Sequence, residues 1–343
     1  MKKILIVLLV CTFLSCKKDE VYTNVELVFE KPSNFPEPHY DLSSNPITEK
    51  GFELGKKLYH DGKLSSDGVV SCAFCHQQKF AFTHHGHQFS HGVEDRKVKR
   101  NTQPIQNVAF QKQFSWDGAA FHLDLFPIIP ITNPDEMDET VTNVIGKLQK
   151  DKVYKQLFSE AFEDGKINAD NTFKALSQFM LMMVSSNSKY DKYVRKEKGG
   201  DFSNEEKKGL ALFKEKCASC HTSDLFTDDA FRNNGLPINP YLNDLGRMTV
   251  TLLEEDKYKF KVPSLRNIEL TAPYMHDGRF GSLVSVLNFY SNGIQETQNL
   301  DPILKSTKGI VGIQLKQEEK TAIIAFLKTL TDEEFITDKR FTE

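Results

Sequence analysis

The motif Cys-x-x-Cys-His occurs twice in the chain, as "SCAFCH" at residues 71–76 and as "KCASCH" at residues 216–221. The chain has six cysteines, and all four that lie downstream of Cys16 belong to these two motifs. An exported protein would ordinarily use such cysteines for disulfides. The identical spacing, with a histidine after each pair, indicates instead a site that needs two thiols and one imidazole together.

Three kinds of site contain a Cys-x-x-Cys pair. A structural zinc site needs four converging ligands, whereas each motif here supplies three and the two motifs are far apart in the chain. A thioredoxin-like redox pair has no need of the histidine. In c-type haem attachment the two thiols add to the haem vinyl groups and the histidine ligates the iron. The sequence therefore favours two covalent c-type haems, whose attachment cysteines and proximal iron ligands are Cys72, Cys75 and His76, and Cys217, Cys220 and His221.

The N-terminal stretch "MKKILIVLLVCTFLSC" has the pattern of an export signal. Two lysines precede an apolar run, Ile4 to Leu14, that is too short for a stable membrane span. The ending "FLSC" resembles a bacterial lipobox, which predicts that Cys16 is lipidated; ordinary cleavage nearby, with loss of Cys16, is the alternative. Several acyl chains on one cysteine anchor a protein durably. We therefore expect a membrane-anchored lipoprotein of the periplasm or cell envelope, where c-type haem is attached.

The composition is that of a soluble globular protein, with 39% hydrophobic and 27% charged residues and a formal net charge of −3. A charge so nearly balanced gives no indication of a nucleic-acid partner. After a signal peptide of residues 1–16, the chain is long enough for two domains. Gly199 and Gly200 interrupt helical patterns on both sides, which predicts an N-terminal domain at 17–200 and a C-terminal domain at 201–343.

Helices are the commonest elements that the spacing of apolar residues predicts. Strand patterns are few and short, and "GRMTVTLL" at residues 246–253 is one of them. The predicted fold is therefore mainly α, with two cytochrome c-like haem domains, long loops and few short strands. The predicted helices are Glu49–His60, Thr140–Lys150, Asn171–Tyr193, Asn204–Lys216, Leu283–Tyr290 and Gln317–Thr329.

Three long segments resemble the bacterial di-haem cytochrome c peroxidases, and in particular their MauG-type branch. They are "SCAFCHQQKFAFTHHGHQFSHGVEDRKVKRN", "FSWDGAAFHLDLFPIIPITNPDEM" and "FKVPSLRNIELTAPYMHDGRFGSLVSVLNFYSNG". The likeness extends from about Asn45 to Leu330. It implies one haem in each domain: the N-terminal haem meets hydrogen peroxide, the C-terminal haem handles electrons, and a calcium ion lies between the domains.

The resemblance also implies catalytic residues. Glu136 in "NPDEM" matches the family's distal glutamate, which accepts and returns a proton when peroxide is cleaved. Trp116, the only tryptophan in the chain, matches the tryptophan between the haems, a relay for an electron or a hole. Phe126 stands where the family often has a glutamine, so a hydrogen bond from that residue is missing. A solvated loop acid and a plain core tryptophan are the alternatives.

Members of the family differ in how the N-terminal iron is covered. Many use a histidine seven residues before an "RN" pair, and here that position is Val93, which cannot bind iron. His91 is the candidate distal ligand, with His84, His85 and His87 close by in sequence; a solvated histidine-rich loop is the alternative. Without such a ligand, the N-terminal haem should be five-coordinate and open to peroxide.

The C-terminal iron also needs a sixth ligand. Other members use a methionine fourteen residues after the "HDG" histidine, and the same count from His276 reaches Tyr290. The MauG branch uses a tyrosine here as an iron ligand, whereas Met275 belongs to the "TAPYMHDG" motif and is not the ligand. A phenolate favours ferric iron, so the resemblance implies a low potential for this haem. A buried tyrosine hydrogen-bonded to the backbone is the alternative.

The calcium ligands that the resemblance implies are the Asn101 side chain and the backbone carbonyls of Thr271 and Pro273. Oxygen donors of this kind suit calcium. In "RNTQP" the proline lies one place later than in the family.

Three functions are compatible with these sequence features. The first is a cytochrome-c peroxidase-type oxidoreductase that reduces hydrogen peroxide with electrons from a small cytochrome or another periplasmic donor. The second is a MauG-like oxidase of a protein or organic substrate; MauG acts through a second, surface tryptophan, which this chain lacks. The third is a non-catalytic electron carrier, which Glu136 and the absence of histidine at position 93 disfavour.

Overall fold

The computed structural model of the protein describes residues 24–84, 86–306 and 308–343. Cys16 and His85 therefore lie outside the described residues. Within the described ranges, no helix has the length and apolar character needed to cross a membrane. The helices are α1 (Glu49–His60), α2 (Cys72–Cys75), α3 (Ile128–Thr132), α4 (Val141–Lys150), α5 (Lys152–Ala161), α6 (Ala169–Leu181), α7 (Lys189–Val194), α8 (Asn204–Lys216), α9 (Met248–Thr251), α10 (Leu283–Asn292), α11 (Gln317–Lys328) and α12 (Glu333–Ile336).

Strands are short, and long loops join the helices. The strands β1 (Phe231–Arg232) and β2 (Phe260–Lys261) pair antiparallel, with Phe231 opposite Lys261 and Arg232 opposite Phe260. The mainly helical fold with few short strands is thus confirmed. Of the predicted helices, α1, α4, α8, α10 and α11 begin and end within two residues of the predicted bounds.

The prediction of one helix over residues 171–193 is wrong, because α6 ends at Leu181 and α7 begins only at Lys189. The backbone between them bonds to other parts of the chain. The Ser185 N–H donates to Asn107 Oδ1 at 2.9 Å, and the Ser185 carbonyl accepts from Arg266 Nη1 at 3.2 Å. These long-range bonds replace the i to i−4 bonds of a continuous helix.

The strand predicted over residues 246–253 is also wrong at its centre, where Met248–Thr251 form the single helical turn α9. The Thr249 hydroxyl donates to the Gly246 carbonyl at 2.8 Å. Leu252 ends the turn in the left-handed conformation, with φ of 60°. Local bonds of this kind compete with sheet pairing, so a run of β-branched residues is a weak signal here.

The chain has a first half, which carries the motif at residues 71–76, and a second half, which carries the motif at residues 216–221. In both halves the helix before the Cys-x-x-Cys-His motif packs on a later helix through a glycine. A Cβ added at Gly55 of α1 would lie 2.0 Å from the carbonyl oxygen of Ala175 in α6. A Cβ added at Gly209 of α8 would lie 1.9 Å from the carbonyl oxygen of Ala322 in α11. Only glycine permits backbones to approach this closely, so the duplicated motif sits in a duplicated helix pair.

Each half has its own hydrophobic core, but a segment of each half also packs into the core of the other. The first core gathers the buried faces of α1, α4, α5 and α6, and the second gathers those of α8 and α11. Phe335 and Phe341, near the C-terminus, are buried in the first core, and the Phe341 ring lies 5.9 Å from that of Phe179. Tyr190 of α7 is buried in the second core.

A fully buried ion pair ties the halves together. Asp191 of α7 accepts two bonds from the Arg266 guanidinium, at 2.8 and 2.7 Å, and neither side chain is exposed to solvent. Burial alone would raise the pKa of Asp191, but the bonds and charge of Arg266 lower it overall. Arg266 also lies over the Phe35 ring, 4.4 Å from its centroid. Asp191 and Arg266 therefore form a buried bonded link between the two halves of the chain.

Candidate active site

The first Cys-x-x-Cys-His motif forms part of the wall of a large cavity of about 610 Å³. The one-turn helix α2 carries Cys72 and Cys75, and the backbone N–H of His76 closes this turn on the Cys72 carbonyl at 2.9 Å. Both thiols and the imidazole line the same cavity. Leu242 and Asp244 also line this cavity, so the second half of the chain contributes to its wall.

The His76 ring is held in one orientation. Its Nδ1–H donates to the Phe82 carbonyl at 2.9 Å, which leaves Nε2 as the ring nitrogen available to a metal. Burial lowers the pKa of His76 to about 4, so the imidazole is neutral, as a metal ligand must be. The Tyr59 hydroxyl donates to the His76 carbonyl at 2.6 Å and fixes the backbone beneath the ring.

The second motif repeats this arrangement around a cavity of about 230 Å³. Cys217, Cys220 and His221 line it, and the His221 Nδ1–H donates to the Phe226 carbonyl at 3.0 Å. Burial lowers the pKa of His221 as well. Both motifs therefore present an oriented, neutral imidazole beside two thiols.

The thiols do not have the character of a redox pair. Burial raises the pKa of Cys72 to about 12 and that of Cys217 to about 12, whereas reactive redox cysteines have a lowered pKa. Among the described residues, no three or more His, Cys, Asp or Glu side chains are grouped to hold a metal ion. Two thiols, one oriented imidazole and an apolar cavity in each half fit a covalently attached haem.

Glu136 lies in the wall of the first cavity, with the motif residues. The Asn133 amide donates to Glu136 Oε1 at 2.8 Å and thereby orients the carboxyl group. The pKa of Glu136 is raised, chiefly by burial; the Asn133 bond opposes this and the charge of Asp135 adds to it. A buried carboxyl group held in this orientation in the cavity wall can accept a proton and release it again.

The loop that precedes Arg96 packs directly on the turn that carries Glu136. The Val93 N–H donates to the Glu136 carbonyl at 2.8 Å. A Cβ at Gly92 would lie 2.3 Å from the carbonyl oxygens of both Asp135 and Glu136. Sequence reasoning missed the positioning roles of Asn133 and Gly92; the Asn three places before Glu136 is a signal of a local turn bond, whereas nothing local announces the Gly92 contact.

His91 lines the first cavity, as the distal-ligand hypothesis requires. Its Nδ1 is paired with the Asp95 carboxylate, so Nε2 is the ring nitrogen that remains for a metal. The His87 ring lies 5.5 Å from the His91 ring and 4.9 Å from the His84 ring. These three described histidines thus form a chain of neighbouring rings that ends at the cavity. Val93 is buried with only 4% of its surface exposed.

Phe126 also lines the first cavity, and its ring stacks on Phe114 with centroids 5.5 Å apart. At this position the chain thus offers the cavity a phenyl ring. The hydrogen-bonding partner of Glu136 is Asn133 of its own turn instead.

Trp116 lines both cavities, and so does Asn101. The Trp116 indole N–H donates to the Asn101 carbonyl at 2.8 Å. The Trp116 carbonyl accepts from the backbone N–H of Lys261 at 2.7 Å, and the Asn101 N–H donates to the His276 carbonyl at 2.7 Å. Trp116 is therefore a fixed part of the wall that the two cavities share.

Tyr290 and Met275 both line the second cavity. The Asn234 amide nitrogen lies 3.5 Å from the Tyr290 hydroxyl and 3.7 Å from the Met275 sulfur. Burial raises the pKa of the Tyr290 phenol, while the Asn234 bond acts in the other direction. A neutral phenol is thus the form that the protein alone favours, and a cation in the cavity would favour the phenolate.

The three residues matched to calcium, Asn101, Thr271 and Pro273, line the second cavity together. The Asn101 amide donates to the Gln88 carbonyl at 3.1 Å, so its oxygen faces away from that bond. The Thr271 side chain is buried. Asn101 therefore lines the same cavity as Thr271 and Pro273, although it lies 170 residues before Thr271 in the chain.

Comparison with known proteins agrees with this geometry. The model of the family described as di-haem cytochrome c peroxidase matches residues 49–199. The methylamine utilization protein MauG of Methylorubrum extorquens is 35% identical over 313 residues, which cover 89% of this chain and 84% of that protein. This chain belongs to the di-haem cytochrome c peroxidase family. It is accordingly a peroxidase-type oxidoreductase with two c-type haems.

Other members of the family are similar over nearly the whole chain. The cytochrome c551 peroxidase of Nitrosomonas europaea is 32% identical over 296 residues, or 82% of this chain and 80% of that protein. The crystal structure of a MauG-like protein associated with microbial copper homeostasis superposes with a TM-score of 0.82 at 31% identity. That match covers 92% of this chain and 99% of the other. Relatives named as peroxidases and relatives named as MauG are thus both present.

Proposed function

We propose that this di-haem protein reduces hydrogen peroxide to water in the first cavity, with electrons that arrive from an external donor through the second haem. The observation that carries the proposal is the position of Glu136. Its buried carboxyl lines the same cavity as His76 and the two attachment cysteines, and Asn133 orients it. A non-catalytic electron carrier has no need of an acid held in this way.

The overall reaction consumes one hydrogen peroxide, two protons and two electrons and yields two waters. The haem, when bound, supplies the iron at which the O–O bond is broken and the electrons for that step. Glu136 accepts a proton from one peroxide oxygen and delivers it to the other, which leaves as water. Asn133 keeps one carboxylate oxygen occupied, so the other is the one that exchanges the proton. The apolar side of the cavity, including Phe126, excludes bulk water from this exchange.

Electrons reach the first cavity across the shared wall. Trp116 lines both cavities and is held by Asn101 and Lys261, so it is the relay in this proposal. A small cytochrome or another periplasmic protein is the donor to the second haem. The export signal and the lipobox at Cys16 support a location in the periplasm or cell envelope, with a lipid anchor.

We further assign Tyr290 as the sixth ligand of the second iron, His91 as a candidate distal ligand of the first, and Asn101, Thr271 and Pro273 as calcium ligands. Tyr290 supports a second candidate function, oxidation of a protein or organic substrate with peroxide. The 35% identity to MauG supports this candidate as well. Both functions use the same peroxide step at Glu136, and they differ in the source of the two electrons.

The test is the reaction of the purified di-haem protein with hydrogen peroxide, followed by stopped-flow absorption. Glu136→Gln keeps the shape and the Asn133 bond but removes the proton acceptor, so we expect a rate roughly 10²–10⁴-fold lower. Asp135→Asn, at the adjacent acid, is the matched control and should leave most of the rate intact. An unchanged rate in Glu136→Gln would remove this residue from the mechanism. Consumption of peroxide with reduced cytochrome, but without an added organic substrate, distinguishes the peroxidase from the oxidase.

A further inference from the structure

Lys261 of β2 is a buried lysine with only neutral hydrogen-bond partners. Only 4% of the surface of this residue is exposed to solvent. The Nζ donates to Gln111 Oε1 at 2.7 Å and to the Gln113 carbonyl at 2.9 Å. Among the ion pairs of the described residues, none within 4.0 Å includes Lys261. The lysine therefore reaches from the second half of the chain to two neutral oxygens of the first half.

The opposing charge that acts on Lys261 is that of Asp229, which is itself half-buried. Burial lowers the pKa of the Lys261 ammonium to about 8, with Asp229 acting in the opposite direction. At neutral pH the ammonium is still the main form. A buried ammonium without an ion-pair partner opposes folding, because its lost hydration is not replaced by a counter-charge. A neutral side chain could make the same two hydrogen bonds without this penalty, so the charge itself calls for an explanation.

The position of Lys261 in the fold supplies an explanation for its buried charge. It lines the second cavity together with Trp116, Tyr290 and His221. Its backbone N–H donates to the Trp116 carbonyl at 2.7 Å, so the lysine is bonded directly to the tryptophan that lines both cavities. It also lines a small cavity of about 50 Å³ between the halves. A charge in such an apolar wall is poorly screened, and it acts strongly on any neighbouring group that gains or loses an electron.

We propose that Lys261 is a positioning residue for electron transfer: its buried positive charge raises the reduction potential of the second haem and opposes the loss of an electron from Trp116. The inference deepens the proposed function, because it concerns the electron route to the peroxide site. A positive charge favours the reduced state of a neighbouring redox group and disfavours an oxidised one. Lys261 thus offsets part of the effect of an anionic ligand such as Tyr290.

The experiment is an optical redox titration of the intact di-haem protein, which gives a midpoint potential for each haem. Lys261→Met removes the charge and the hydrogen bonds, Lys261→Gln removes the charge and keeps a donor for the two oxygens, and Lys261→Arg keeps the charge. We expect Lys261→Met and Lys261→Gln to lower the potential of the second haem by similar amounts, with a smaller shift of the first. We expect Lys261→Arg to stay near the wild-type value.

Lys112→Gln is the control for a general change of charge, since Lys112 is an exposed lysine of the same region and water screens it. It should leave both potentials unchanged. An unchanged second potential in Lys261→Gln would overturn the proposal. If Lys261→Met alone shifted the potential, only the hydrogen bonds of the lysine would matter, and not its charge. If Lys261→Met does not fold, Lys261→Gln and Lys261→Arg still decide the question. The titration needs no peroxide, so a failure of the Glu136 test and a failure of this one are distinguishable.

Discussion

The indole N–H of Trp116 donates to the backbone carbonyl of Asn101 at 2.8 Å. The N–H of Asn101 in turn donates to the His276 carbonyl at 2.7 Å. One peptide segment of the first half is thus bonded on one side to the only tryptophan and on the other to the second half. Because Trp116 and Asn101 line both cavities, this short bonded unit is the direct physical link between the two haem sites.

Replacement of Trp116 tests that link. Trp116→Phe retains an aromatic ring but loses the indole N–H, at a cost of about 1 kcal/mol for the hydrogen bond. We expect normal haem content and a slower passage of electrons from the second haem to the first. Stopped-flow absorption after one equivalent of peroxide would measure the oxidation of the second haem. Equal rates in the variant and the wild type would exclude Trp116 as the relay.

The two attachment motifs should be separable. Cys72→Ala with Cys75→Ala should leave one covalent haem, and Cys217→Ala with Cys220→Ala should leave the other. Mass spectrometry of the denatured protein would show one haem mass in each double variant and two in the wild type. A wild-type mass with no added haem, or with zinc in its place, would contradict the c-type assignment. The single substitution His76→Ala is a useful control, because it removes the iron ligand but neither thiol.

The local features of the fold could be predicted from the sequence, and the features that depend on contacts between the halves could not. Apolar periodicity predicted α1, α8 and α11 nearly to the residue, since each is amphipathic and carries its own caps. The break after Leu181 could not be predicted because Asn107 and Arg266, which bind the intervening backbone, are far away in the chain. Contacts of this kind override local propensity.

The site divides in the same way. The motif histidines follow from spacing alone, and the carbonyl partners Phe82 and Phe226 lie only six and five residues downstream. The role of Glu136 could be predicted only from the resemblance of a longer segment to the family. The partnership of Lys261 with Gln111 had no sequence signal, because a lone lysine reads as a solvated side chain until its burial is known. Periodicity also failed at Met248–Thr251, where hydroxyl bonds to the backbone decide the conformation.

The buried pair Asp191–Arg266 should be worth more than any exposed ion pair in the described chain. Asp191→Asn leaves the Arg266 charge without its counter-charge in a fully buried site, so we expect a loss of about 3–5 kcal/mol in the free energy of unfolding. Urea unfolding followed by circular dichroism would measure it. Glu197→Gln is the control, since its pair with Arg195 is partly exposed and should contribute less than about 1 kcal/mol. Equal losses of unfolding free energy in the two variants would mean that the buried pair of Asp191 and Arg266 does not stabilise the contact between the halves more than an exposed pair does.

Glu136 should lower the stability of the protein at neutral pH. Its pKa is raised in the folded state, so the folded protein binds more protons than the unfolded chain between the ordinary and the raised pKa. Stability therefore falls as the pH rises through this interval, and the deficit is complete above it. We expect Glu136→Gln to be more stable than the wild type at neutral pH and equally stable in acid, below both pKa values. Thermal unfolding across this range would measure the difference; a variant that is less stable at neutral pH would contradict the direction given for the pKa.

The proposed role of Tyr290 as an iron ligand can be tested through the way the protein is activated. If its phenolate ligates the second iron, the fully oxidised protein should consume peroxide without prior reduction, because Val93 supplies no side-chain ligand that would first have to leave the first iron. A thioether ligand raises the reduction potential of a haem, so Tyr290→Met should raise the second potential and make one-electron reduction necessary before peroxide reacts. Tyr290→Phe should keep both covalent haems and lose the phenolate signature in the resonance Raman spectrum of the ferric protein. If the oxidised wild-type protein ignores peroxide until one electron is added, His91 or a neighbouring histidine covers the first iron. His91→Ala should then restore the direct reaction, and this chain would be a reductively activated peroxidase.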